Sequence, residues 1–89
     1  DILRLESDGP YTTIHLKDGK KQVSSKNLGF YESALAHRSF FRVHHSHIVN
    51  LNHVINYHRG EGGHVVFSDQ SIAPVSRRKK DDFLKALGA

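Results

Sequence analysis

Apolar residues along this 89-residue chain recur mostly at every second position, in short runs separated by glycine-bearing turns. Ile2, Leu3 and Leu5 open the pattern. After an Asp8-Gly9-Pro10 turn, Thr12, Ile14 and Leu16 share one strand face, with Tyr11, Thr13 and His15 on the other. Asp18-Gly19 is a strong hairpin signal, and Lys20 to Ser24 returns as the partner strand. The period then changes. Leu28, Tyr31, Ala34 and Leu35 fit one face of a helix, with Ser24 or Ser25 as its N-cap and Gly29 weakening it.

The two-residue period resumes over Phe40 to Val43, Ser46 to Val49 and Val54 to Arg59. Asn50-Leu51-Asn52 reads as a tight turn or a single helical turn between the last two runs. Gly60-Glu61-Gly62-Gly63 reads as a hairpin connection into a strand at His64 to Ser68. Ser71 to Val75 is a short strand that Pro74 confines to an edge or an end. A last helix, Arg77 to Leu87, carries an apolar stripe of Phe83, Leu84 and Leu87. The expectation is a mainly β domain of about eight to ten short strands in small antiparallel sheets, with one internal helix and one C-terminal helix. Residues 1–89 form one domain, and the abrupt apolar start is what a piece of a longer protein would show.

Composition adds charge to this picture. Thirteen lysines and arginines against nine acids leave a net charge of +4 with histidines neutral. That balance suits a nucleic-acid binder. The absence of cysteine excludes disulfides and thiolate metal sites and fits a reducing cytoplasm. No run of 18 apolar residues is present, so no membrane-spanning helix is expected.

Two constellations carry the candidate chemistry. Ser76 is placed to cap the last helix, whose first turn would hold Arg77, Arg78, Lys79 and Lys80. Cations at the positive end of a helix dipole are unfavourable, so their presence there points to phosphate binding. In the second, strand alternation sends Phe41 and Val43 to one face and Arg42 and His44 to the other. A turn at His45-Ser46 then puts His45 on a tip.

Seven of the eight histidines lie between His37 and His64, and His45 and His47 could chelate from one strand face. With no acid near that run and no cysteine, neither a metal site nor a cofactor is expected. No nucleophile elbow or phosphate-cradling loop is present, so enzyme activity is not expected either.

Phe40-Phe41-Arg42-Val43-His44-x-Ser46, then Val49-Asn50 and Pro74-Val75-Ser76-Arg77-Arg78, resemble the signature of the LytTR-type DNA-binding domain. That family supplies the output domain of LytR/AlgR/AgrA-type response regulators. The stretch Leu5 to Leu16 resembles its opening hairpin, with Pro10 where asparagine is commoner. The resemblance covers essentially the whole chain. It implies about ten strands in small sheets, and sequence-specific binding of double-stranded DNA at imperfect direct repeats. Loops, rather than a recognition helix, enter successive major grooves. It further implies a phosphorylatable receiver domain upstream and transcription regulation in the cytoplasm, and tandem repeats leave room for a dimer.

Carried over by position, base-reading residues fall at Tyr11, His45 and Arg78. Phosphate contacts fall at Arg42, His44, Ser46, Ser76, Arg77 and Lys79, while Asn50 fixes a turn. His45 stands where arginine or asparagine is commoner, and a histidine lacks arginine's bidentate fork. The competing reading is a small basic β module that binds an acidic protein or RNA. Single-strand RNA binders need exposed aromatics on a strand face, whereas Phe40, Phe41, Tyr57 and Phe67 read as core.

Overall fold

The computed structural model describes residues 1–60 and 63–88. In order, the chain forms β1 (Ile2–Asp8), β2 (Tyr11–Leu16), β3 (Lys21–Ser24), α1 (Leu28–Ala34), β4 (Phe40–His44) and β5 (His47–Asn50). There follow a 3-10 turn (Leu51–His53), β6 (Val54–His58), β7 (His64–Phe67) and β8 (Ile72–Pro74). A second 3-10 turn (Arg77–Lys79) leads into α2 (Lys80–Leu87). The described residues thus hold eight strands, the low end of the expected range, and two α-helices. The part of the expected hairpin connection at residues 61 and 62 lies outside the described residues.

Five strands form one antiparallel sheet in the order β3-β2-β1-β5-β4, and three form another in the order β6-β7-β8. Pro74 lies on an edge strand, where its missing N–H costs no ladder bond. The larger sheet is covered on both faces. On one, Leu5 faces Ile14 and Ile48 across the ladders, and α1 closes over them with Leu28. On the other, Leu3, Val43 and Val49 meet Val65, Phe67, Ala73 and Val75 of the small-sheet segment, together with Phe83 of α2.

Consecutive residues Ile48 and Val49 therefore enter different cores, which is why β5 carries an unbroken apolar pair rather than an apolar–polar alternation. Each fully buried side chain of this size contributes roughly 1.5–3 kcal/mol. Gly63 must be glycine: its φ is +85°, and a Cβ there would lie 2.5 Å from the His58 carbonyl and from the Tyr57 hydroxyl.

Two helix starts differ from the sequence expectation. α1 is capped by Asn27, whose Oδ1 accepts from Phe30 N–H at 2.8 Å. Ser24 is the last residue of β3, and its hydroxyl is engaged by Tyr31 Oη and Lys26 N–H, so the helix cannot begin there. At the C-terminus, Ser76 makes no side-chain cap bond, and Arg77–Lys79 are in the 3-10 turn, ahead of the α-helix. Ser76 N–H donates to Val43 O at 2.8 Å, which holds the chain extended against β4 until that point. The first turn of α2 holds Asp81 and Asp82, which suit the dipole. Three of the four cations therefore precede the helix, and the expected clash with its dipole does not arise for them.

Candidate nucleic-acid interface

Antiparallel register decides which loops share an end of the large sheet. Glu6 pairs with His47, so the end of β1 lies beside the start of β5. Thr12 pairs with Ser24, so the start of β2 lies beside the end of β3. The β1–β2 turn, with Tyr11, and the β4–β5 turn, with His45 and Ser46, consequently project from one end. Tyr11 is 49% exposed, and its strand lies three steps, about 14 Å, from β4 at ordinary strand spacing. The Ser76–Val43 bond adds the basic 3-10 turn to this row on the far side of β4.

Between these elements lies a cleft of about 400 Å³ lined by Glu32, Arg42, His44, His45, Ser76, Arg78 and Lys79. It gathers six of the nine site residues expected from the sequence. Ser46 belongs to the same turn and Arg77 to the same 3-10 turn, although neither lines the cleft. Tyr11 stands apart on the same end. Glu32, from α1, is a lining residue that sequence reading missed. It lies ten positions from its partner Arg42, on a different element, so no local spacing rule links them.

Arg42 is directed at protein groups. Its Nη1 donates to Glu32 Oε1 at 2.7 Å, its Nε to His44 O at 3.1 Å, and its Nη2 to His45 O. The guanidinium thus grips both carbonyls at the base of the exposed turn. His44 Nδ1 accepts from Ser46 N–H at 3.1 Å, so the ring's Nε2 carries the proton and is its donor. Burial, with the charges of His45 and Arg42, pushes the His44 pKa below its ordinary value and favours that neutral form. The His44 ring stacks on His45 at 4.6 Å between centroids and meets His47 edge-on at 5.4 Å. Burial pushes His47 down to about 4, and its Nδ1 is buried with no hydrogen-bond partner. His47 serves the sheet, and His45 alone of the three is exposed.

Asn50 is mostly buried and fixes a turn, as expected. Its Oδ1 accepts from Ser39 Oγ and Asn52 N–H, while its Nδ2 donates to Ile2 O at 2.8 Å. Phe67 is buried, and Phe40, Phe41 and Tyr57 pack against the cores, so none of these four offers a free stacking face. Among the described residues, no three histidine, aspartate or glutamate side chains gather where they could hold a metal ion, and no helix is long and apolar enough to cross a membrane.

The model of the LytTr DNA-binding domain family matches residues 1–88. The chain belongs to the LytTR DNA-binding domain family. A solved LytTr DNA-binding domain of a response regulator from Bacillus cereus superposes with a TM-score of 0.87 at 26% identity, covering 99% of this chain and 82% of that one. Two heme-containing CO-sensing transcriptional regulators of Paraburkholderia xenovorans strain LB400, RcoM 2 and RcoM 1, are 36% and 35% identical over 91 residues. The match takes in 99% of this chain but 34% of each regulator. This LytTR domain is accordingly a DNA-binding domain, and the basic cleft gathers most of the contact residues expected from the sequence.

Proposed function

We propose that this LytTR domain reads double-stranded DNA by inserting the β4–β5 turn and the neighbouring 3-10 turn into a major groove, with the β1–β2 turn reaching the flanking backbone and bases. His45, Arg78 and Tyr11 contact base edges. His44, Ser46, Ser76, Arg77 and Lys79 hold phosphates, and Arg42 joins them where a phosphate reaches its outer edge. The observation that carries this reading is the convergence of three chain segments on one cleft, with Arg78, Lys79 and His45 among its lining residues.

The molecule's longest extent is 32 Å, no greater than the roughly 34–36 Å of a DNA turn, so copies on direct repeats one turn apart would fit side by side. A pair of copies on tandem repeats follows, each held mainly by its own phosphate contacts. In the intact protein the domain is the cytoplasmic output of a signal-input module. A receiver domain is the form of that module proposed here.

Salt dependence tests the reading. With the four cations Arg77, Arg78, Lys79 and Lys80 each neutralising about one phosphate, the log–log slope of affinity against salt is about −3 to −4, at roughly −0.9 per phosphate. Binding then falls by roughly a hundredfold between about 50 and 200 mM salt. A slope near zero on duplex DNA would sink the proposal. Selection from a random duplex library supplies the preferred site and shows its repeat spacing.

A further inference from the structure

Glu32 is the one carboxylate among the described residues that line the basic cleft, and its position there is built. It lies on α1, which Leu28 anchors to the large sheet and Asn27 caps. Its Oε1 meets Arg42 Nη1 at 2.7 Å, a charge-assisted bond. The same guanidinium holds the His44 and His45 carbonyls. Glu32, Arg42 and the recognition turn are thus one connected unit. The Glu32 side chain is 51% exposed, so its charge also faces any DNA that enters the cleft.

We infer that Glu32 is a positioning residue that raises the preference for the correct site over random DNA, through its bond to Arg42 and its negative charge in the cleft. This rests on the cleft being the DNA-binding site. The two effects have opposite signs. Random duplex is held by potential alone, so a carboxylate among the cations weakens it. The preferred site also needs His45 presented in one orientation, and fixing Arg42 against the two turn carbonyls orders that turn before DNA arrives. Loss of Glu32 therefore strengthens random binding and leaves site-specific binding level or weaker.

The test measures affinity and salt slope on the selected site and on random duplex for wild type, Glu32→Gln, Glu32→Ala and Asp18→Asn. Asp18→Asn makes the same charge change in the β2–β3 turn, at the opposite end of the sheet, and its Oδ1 can still accept from Lys20 N–H. For Glu32→Gln, random-duplex affinity rises about three- to tenfold and the slope steepens by about one, because a neutral amide neither cancels the Arg42 charge nor holds its guanidinium as firmly as the charge-assisted bond does, which leaves it available to a phosphate. The ratio of specific to random affinity falls by a similar factor. Glu32→Ala, which also removes the acceptor for Arg42, loses affinity for the selected site as well.

An unchanged ratio in Glu32→Gln, or an equal change in Asp18→Asn, overturns the inference, since either would make Glu32 an ordinary surface acid. Should Glu32→Ala fail to fold in a melting experiment, Glu32→Gln decides alone. A wild type without salt-dependent duplex binding would refute the proposed site itself, which separates that failure from this one.

Discussion

The two ends of the large sheet are both polar and both hollow, yet they do different work. At one end, the cleft of about 400 Å³ collects Arg42, Arg78 and Lys79 against Glu32, the single acid among its described lining residues. At the other, a cleft of about 630 Å³ is lined by Asp1, Arg38, Ser39, Asn50, Asn52 and His53 over an apolar floor that includes Ile2, Leu35 and Phe40. The larger hollow is the more self-contained. Asn50 bonds Ser39, Asn52 and Ile2, and His53 lies 3.7 Å from Asp1. The smaller one leaves Arg78 and the exposed His45 facing solvent beside a tip whose backbone is already held. One β4–β5 hairpin supplies residues to both ends, so a single string of polar residues contains builders and binders together.

Asn50→Ala strikes the building end and should show the largest effect. Leaving buried partners unsatisfied at about 1–3 kcal/mol each predicts a loss of roughly 2–4 kcal/mol in urea unfolding. The folded fraction should discriminate DNA sites as wild type does. Altered discrimination with stability intact would break the contrast between the ends.

Arg78→Ala strikes the binding end. It should cost about 1–3 kcal/mol on the preferred site and relax preference at one base position, without shifting the melting temperature. Competition against single-base variants of the site reads this directly. A uniform loss over all variants would make Arg78 a phosphate contact.

His47 sharpens the comparison because it sits in the histidine run of the binding end but belongs to the sheet. Burial depresses its pKa in the folded state to about 4, while Glu6 works in the other direction and His44, Arg4 and His15 add to the depression. A depressed histidine contributes stability in full above its unfolded value of about 6.5, and that contribution erodes as pH falls from there through about 4. Melting temperatures of wild type should decline across this window, and those of His47→Phe should decline less, with DNA affinity at neutral pH little changed. Parallel declines would place the titration on His15 or His44, whose pKa values are also lowered chiefly by burial.

The smallest effect belongs to Lys79→Ala, which should weaken every duplex alike by about 1 kcal/mol or less and reduce the magnitude of the salt slope by about 0.9. A change in base preference would instead make Lys79 a reader.

Strand positions, turns and the inner residues were largely legible along the chain, because a two-residue period and left-handed turn residues are local signals. Asp8-Gly9-Pro10, Asp18-Gly19 and the edge-limiting Pro74 each act within a few bonds. Arg42, His45 and Ser76 were singled out by resemblance to a family rather than by spacing, and the structure brings them to one cleft. Three features depended on the packed molecule. Ser24 is a plausible helix cap in one dimension, but sheet pairing and the Tyr31 hydroxyl claim it, and Asn27 caps the helix instead. Ser76 is likewise a plausible cap, but its backbone is tied to β4, so the cations enter a 3-10 turn ahead of α2. Glu32 acquires its meaning only when α1 folds over the sheet and sets its carboxylate against Arg42. Local rules rank what a residue can do, whereas the neighbours brought in by long-range strand pairing select which of those things it does.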